Sequence, residues 1–363
     1  MEIGIALSHF QISKEIPKED IWVKYSNGKL PLPYKGIREL KGKDLDDLIN
    51  ILTLEGEIKD IRFSILPSYI EENGKINKEK LKEYKNLFSI LKDNNVNILL
   101  VLIHYIYPYY WGSIFEKDFY KNVINFIENI KEIFDHTDSI TPVNEPAVWI
   151  YRLLTIKASP YRKYIFIPNK LIKLIKIAKE NIKEISNYIW DNYKERTIIN
   201  NVFALSTKDI LNIVKPFLNI YKEFDYLPSH LIGLNYYGTF ELFGGEKNFY
   251  GDRFSIFKLD TNNLEKIIID YRKRTGKDVI ITEIGMSANN KEEEEYRIKY
   301  FEKVFDLSLR LGIRKVYIWS STDNFEWEDE YKKKFGVCYS LEYDGFKKKE
   351  ICNNFIELIN KYK

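Results

Sequence analysis

The feature that most constrains this chain is an alternation. Short apolar, β-branched runs recur eight times, separated by longer segments with the spacing of amphipathic helices. The runs are Ile3 to Leu7, Asp60 to Ile65, Asn97 to Ile103, Ser139 to Val143, Thr197 to Ala204, Leu231 to Tyr236, Asp278 to Glu283 and Lys315 to Ser320. The intervening helical patterns cover Asp44 to Leu54, Lys78 to Asn94, Asp118 to Phe134, Asn169 to Tyr193, Lys208 to Phe224, Thr261 to Thr275 and Lys291 to Leu311, with Lys348 to Asn360 closing the chain. Strand then helix, eight times over, predicts an α/β fold of the (β/α)8 barrel type. No linker rich in Pro, Gly or Ser divides the 363 residues, so one domain over 1–363 is expected.

A barrel of this kind says where chemistry belongs. Its active site lies at the C-terminal ends of the strands, so the polar residues that close each run are the candidates. They are Arg62, His104, Asn144 with Glu145, Asn235 with Tyr236 and Tyr237, Glu283, and Trp319 with the segment Asp323 to Trp327. Glu145 is held between an asparagine and a proline in Thr141-Pro142-Val143-Asn144-Glu145-Pro146. Glu283 ends the buried-strand pattern Val279-Ile280-Ile281-Thr282, where a carboxyl is costly to desolvate unless it is paired. On the strand count, Glu145 closes the fourth strand and Glu283 the seventh, facing each other across one barrel mouth. Two such carboxyls are what glycoside hydrolysis needs, one to protonate the leaving oxygen and one to attack the anomeric carbon or activate water. Their environments must push them toward opposite protonation states, and Arg62 and Tyr237 are available to keep Glu283 ionised.

Composition narrows the partners. Charged residues make up 30% of the chain and nearly balance at net +3, which argues against nucleic acid or an anionic membrane as the main partner. The basic clusters Lys332 to Lys334 and Lys347 to Lys349 read as solvated surface. Met1 to Gln11 has no leader-like pattern and no apolar run approaches the roughly 18 residues of a bilayer span, so a soluble cytoplasmic protein is expected. Cys338 and Cys352 are too few for a disulfide framework or zinc-ligand spacing, and a lone bridge between them stays open. His9, His104, His136 and His230 lack metal-motif spacing, so neither a metal nor a cofactor is expected. The 27 Tyr, 22 Phe and 6 Trp exceed what a core strictly needs; most of them read as filling a large barrel interface, while sugar sites use such faces as stacking platforms.

With these residues in place, the sequence resembles glycoside hydrolase family 1, the retaining β-glucosidases and β-galactosidases, from Gln11 to about Tyr339. The resemblance implies that Glu145, in the Asn-Glu-Pro motif, is the acid/base and that Glu283 is the nucleophile. Arg62, in Arg-Phe-Ser-Ile, matches the arginine that holds the nucleophile, and Tyr237, in Gly-Leu-Asn-Tyr-Tyr, the tyrosine that hydrogen-bonds it; Asn235 is placed on the same side. Gln11, His104 and Asn144 match residues that grip sugar hydroxyls, and Tyr237 borders the same subsite. Trp319 to Trp327 resembles the sugar-recognition loop, with Trp319 as stacking floor and Glu326 and Trp327 bonding the outer hydroxyls. Asp323 and Asn324 read as shaping that loop.

Departures accompany the matches. Ile284 stands where the family has asparagine after the nucleophile, Pro67 where a tryptophan is common, and Ser13 where an acid is expected. Shorter loops after the fourth and fifth strands imply a more open aglycone side. The expected function is a retaining β-glycosidase acting on a small-molecule β-glycoside of a neutral hexose; a 6-phosphoglycoside is disfavoured because Glu326 would repel the phosphate. Alternatives are a transglycosidase using the same intermediate and a carbohydrate-binding barrel without catalysis. Assembly into a homo-oligomer is left open.

Overall fold

The computed structural model describes residues 1–204, 206–207, 222–240 and 257–363. Eight parallel strands, β1 (Glu2–Ser8), β2 (Asp60–Ser64), β3 (Asn97–Ile103), β4 (Ser139–Val143), β5 (Thr197–Phe203), β6 (Leu231–Tyr236), β7 (Asp278–Ile284) and β8 (Lys315–Trp319), pair in sequence order. β8 then pairs with β1, from Glu2 opposite Lys315 to Ala6 opposite Trp319, and closes the barrel. The expected architecture is the one found, and each strand lies within two residues of its predicted run at either end.

Closure explains why the strands read as continuous apolar runs. Helices cover the outer face and side chains fill the inner one, so neither face meets water. All five residues of β2 are buried. On β7, Val279 and Ile281 join the large core beneath the helices, whereas Ile280 joins a smaller cluster with Ala6, Leu99, Ile199, Tyr317 and Trp319 inside the barrel. That alternation is the two-residue period of a strand.

The covering helices are α1 (Gly42–Thr53), α2 (Lys78–Asp93), α3 (Phe119–Ile130), α4 (Pro146–Thr155), α5 (Pro168–Tyr193), α6 (Thr261–Thr275), α7 (Lys291–Arg310) and α8 (Cys352–Tyr362). Local chemistry starts several of them. Asn77 accepts from the amides of Glu79 and Lys80, Asp260 from those of Asn262 and Asn263, and Asn290 from that of Glu293; each satisfies donors that have no partner inside the helix. The acids Glu292, Glu293 and Glu294 in the first turn of α7 complement the helix dipole. None of the described helices is long and apolar enough to cross a membrane.

Several expectations are corrected. The helix predicted over Asp118 to Phe134 ends at Ile130 and tightens into 3-10 turns over Lys131–His136, where Thr137 returns its hydroxyl to the Phe134 carbonyl. The final helix starts at Cys352 rather than Lys348, because Gly345–Lys348 pairs antiparallel with Tyr339–Glu342 as a hairpin. The helix predicted over Lys208 to Phe224 lies outside the described residues up to 221. α4 was not expected at all; it follows Glu145 directly, with Pro146 in the first turn where its missing N–H costs nothing.

The hairpin also decides the cysteine question. It brings Cys338 and Cys352 to a Cα separation of 4.2 Å, and the two are joined as a disulfide. Nor is Lys349 a solvated surface charge. Its ammonium is 2.9 Å from both Asp323 Oδ1 and the Gly336 carbonyl, which ties the hairpin to the loop after β8.

Candidate active site

Each candidate carboxyl is aimed into the barrel mouth by a local irregularity. On β7 the inward residues are Ile280 and then Thr282, so a regular strand would turn Glu283 outward. The register against β6 instead steps from Ile281 opposite Leu234 to Glu283 opposite Asn235, leaving Thr282 as an extra residue. Such a bulge re-aims the following side chain, and Thr282 and Glu283 both face the interior network. Just beyond, Gly285 lets the strands converge: a Cβ there would lie 2.6 Å from the Trp319 carbonyl oxygen and 3.0 Å from the Tyr237 ring.

At β4 the device is backbone handedness. Glu145 adopts φ 42 and ψ 66, a left-handed conformation that costs a non-glycine residue about 1–2 kcal/mol. It lets Asn144 and Glu145, adjacent in sequence, contribute to the same polar network. The Glu145 amide is anchored by Asn201 Oδ1 at 3.3 Å.

The surroundings of the two carboxyls differ. Arg62, fully buried on β2, donates from Nη1 to Glu283 Oε1 at 2.6 Å, and the Tyr237 hydroxyl donates to Oε2 at 2.5 Å. Glu283 therefore has a cation on one oxygen and a phenol on the other. Among the described residues, Glu145 has neutral donors alone: Asn235 Nδ2 reaches Oε1 at 2.6 Å and the Tyr105 hydroxyl bonds Oε2. Burial first, then the charge of Glu283, pushes the Glu145 carboxyl up to about 7, against the lowering effect of the Tyr105 and Asn235 bonds.

Asn235 corrects an expectation. Placed by resemblance beside Glu283, it instead turns to Glu145, because its Oδ1 accepts from Asn201 at 2.8 Å and from Thr282 at 2.8 Å, leaving Nδ2 for the carboxyl. Asn144 Oδ1 accepts from Arg62 at 2.6 Å and from Asn235 at 3.3 Å, while its Nδ2 donates to the Tyr105 oxygen at 3.1 Å. Its amide orients the pair. Gln11 donates from Nε2 to Asn324 Oδ1 at 2.8 Å and to the Phe325 carbonyl at 2.9 Å; its Oε1 has no partner among the described residues.

The remaining candidates gather around these groups. His104 bonds Ser64 through Nδ1 at 2.8 Å, and burial with Arg62 and Arg152 nearby drives it well below the usual histidine range, so it is neutral. Trp319 donates from Nε1 to Glu326 Oε1 at 3.0 Å, and burial raises the Glu326 carboxyl to about 8. The Trp327 ring stacks on Phe10 at 5.4 Å and lies 5.5 Å from Tyr105. Asp323 and Asn324 hold the loop, through the Gly336 amide at 2.9 Å and Ser320 Oγ at 2.9 Å respectively.

The structure also explains the departures. Ile284 packs in the outer core, and the polar support for Glu283 comes from Arg62 and Tyr237. Pro67 begins a short helix over Pro67–Ile70. Ser13 returns its hydroxyl to the His9 carbonyl at 2.8 Å. Three contributors escaped sequence reasoning: Tyr105, Asn201 and Thr282. The signals were there, since Asn200-Asn201 interrupts an apolar strand and a buried amide needs partners.

Residues 253–354 match the family described as Glycosyl hydrolase family 1. β-Glucosidase 24 of Oryza sativa subsp. japonica is 26% identical over 192 residues, covering 42% of this chain and 36% of that protein. β-Glucosidase 1B of Phanerodontia chrysosporium is 36% identical over 90 residues, 21% of this chain and 16% of the relative. The matched stretches thus span 36% or less of these relatives. Among solved structures, a β-glycosidase from Pyrococcus horikoshii superposes with a TM-score of 0.79 at 18% identity, covering 99% of this chain and 96% of the other. A family 1 β-glucosidase from Thermotoga maritima gives 0.79 at 15% identity, covering 99% and 98%. At such identities the superpositions establish the shared barrel. The resemblance read from the motifs is borne out over residues 253–354, where the chain matches the family's model.

Proposed function

From that kinship with glycosyl hydrolase family 1, we propose that the chain is a retaining β-glycosidase that hydrolyses terminal β-linked neutral hexosides by double displacement. The observation that carries the reading is the unequal pair. One buried carboxyl is ion-paired with Arg62, and the other, with no cation paired to it among the described residues, is pushed up to about 7.

In the first step a Glu283 oxygen attacks the anomeric carbon as the glycosidic C–O bond breaks. Glu145 gives its proton to the departing oxygen, and the sugar is left as an ester of Glu283. Glu145, now a carboxylate, takes a proton from water as that water attacks the anomeric carbon and Glu283 leaves. Arg62 and Tyr237 hold Glu283 in position before attack and meet its returning negative charge when the ester breaks. Trp319 offers an indole face to the apolar side of the sugar, and Glu326 and the Gln11 side-chain Oε1 offer acceptors to hydroxyls.

Turnover of aryl β-glucosides and β-galactosides tests the reading. Hydrolysis with retained anomeric configuration is expected; inverted product would contradict double displacement. In Glu283→Gly, turnover should vanish, and azide should restore it with a glycosyl azide of inverted configuration.

A further inference from the structure

We propose, resting on that reading, that Tyr105 is a positioning residue for the acid/base. Its hydroxyl holds the one Glu145 oxygen that can carry the transferable proton and yields it to the leaving group when a glycoside binds. Asn235 fixes which oxygen that is. Because its Oδ1 is occupied by Asn201 and Thr282, its Nδ2 must face Glu145 Oε1. An oxygen that faces an N–H donor cannot also direct a proton along that contact, whereas a tyrosine hydroxyl can turn to accept as well as donate, so the acidic proton belongs on Oε2. Oε2 is the oxygen bonded by Tyr105.

Tyr105 is itself tightly placed. Its oxygen accepts from Asn144 Nδ2 at 3.1 Å, which leaves its O–H free to point at Oε2. Its backbone takes φ 71, uncommon for a residue with a side chain, and its ring meets His104 at 5.0 Å, Trp327 at 5.5 Å and the Arg152 guanidinium at 5.5 Å. A strained backbone held by contacts on several sides fits a placed functional group. In glycosylation the proton leaves Oε2 for the glycosidic oxygen, and the Tyr105 O–H donates to the carboxylate that forms. In deglycosylation the same bond steadies that carboxylate as it takes the proton from water. Tyr105 keeps its own proton throughout, held there by burial and by the charge of Glu145. Among the described residues, the other charged or titratable groups around this pair are Glu283 from β7, Arg152 from α4, Arg62 from β2, His104 after β3 and Tyr237 after β6, with Glu326 beyond them beside Arg152 and Glu283.

Tyr105→Phe removes the bond and keeps the ring. With a series of aryl β-glycosides, wild type should depend weakly on the leaving group, whereas the variant should lose about tenfold or more on poor leaving groups and little on dinitrophenyl. The alkaline limb of its kcat/KM profile should move to higher pH. Carbon-13 NMR of glutamate-labelled protein, with Glu145 assigned by Glu145→Gln, should show Glu145 titrating higher in Tyr105→Phe and lower with 3,5-difluorotyrosine at 105, a stronger donor. Equal loss on all leaving groups with an unmoved Glu145 titration would overturn the proposal. The titration needs no turnover, so a wild type without glycosidase activity would refute the functional reading while the NMR result still decides the role of Tyr105.

Discussion

The β7 side of the barrel mouth and the β4 side each present one buried carboxyl, and the contrast lies in what surrounds them. On the β7 side Glu283 meets a guanidinium and a phenol. On the β4 side Glu145 meets an amide and a phenol, with the Arg152 guanidinium farther out, 5.5 Å from the Tyr105 ring. The lesson is that nearly equal burial gives unequal chemistry when only one partner is an ion pair. A catalyst that needs one nucleophile and one acid can obtain both from glutamate.

Breaking the β7 side should have the largest effect. Glu283→Gln removes the attacking group, and kcat for an aryl glycoside should fall by at least the roughly 10³-fold or more expected for losing a nucleophile, while the protein stays folded. Removing the opposite carboxyl, Glu145→Ala, should cost about 10²–10⁴ on poor leaving groups and far less on dinitrophenyl. A uniform loss across leaving groups would erase the distinction between the two sides.

Stability offers a second way to break the comparison. Arg62→Met leaves Glu283 buried without its cation, and chemical denaturation should register a loss of about 3–5 kcal/mol. Away from the site, Cys338→Ser should cost at most about 3 kcal/mol, because the bridge closes a short loop, 14 residues in sequence separation.

A smaller effect sharpens the comparison through pH. The folded state holds the Glu145 proton to about 7, whereas an unfolded chain releases it near the ordinary carboxyl value of 4.5. Folding therefore binds a proton between those limits. The stability this contributes is full below 4.5 and is lost as pH rises through 7. Glu145→Gln, neutral at every pH, should flatten that decline and gain on wild type above pH 7 in thermal melts. Wild-type activity on poor leaving groups should fall as pH rises through about 7, as the acid form disappears.

Much of this was legible in the chain. A barrel strand covered on both faces reads as a continuous apolar run, so β3, β4 and β6 have their predicted bounds. Glu145 and Glu283 stood out because a carboxyl at the end of such a run needs a reason to be there. What was not legible depends on distant register and on hydrogen-bond direction. Nothing local tells that Thr282 is the extra residue of a bulge, or that Asn235 must face Glu145 because Asn201 and Thr282 occupy its oxygen. Tyr105 sits beside His104 in sequence, yet its hydroxyl gains meaning only when β3 lies next to β4. The Cys338–Cys352 bridge likewise awaits the hairpin that brings its ends together.

The most direct test of the unequal pair is to trap the covalent intermediate. A dinitrophenyl 2-deoxy-2-fluoro-β-glycoside of the accepted sugar should release one equivalent of dinitrophenol and inactivate the enzyme, and peptide mass spectrometry should place the sugar on Glu283. Labelling of Glu145, or steady turnover with no stoichiometric adduct, would contradict the account.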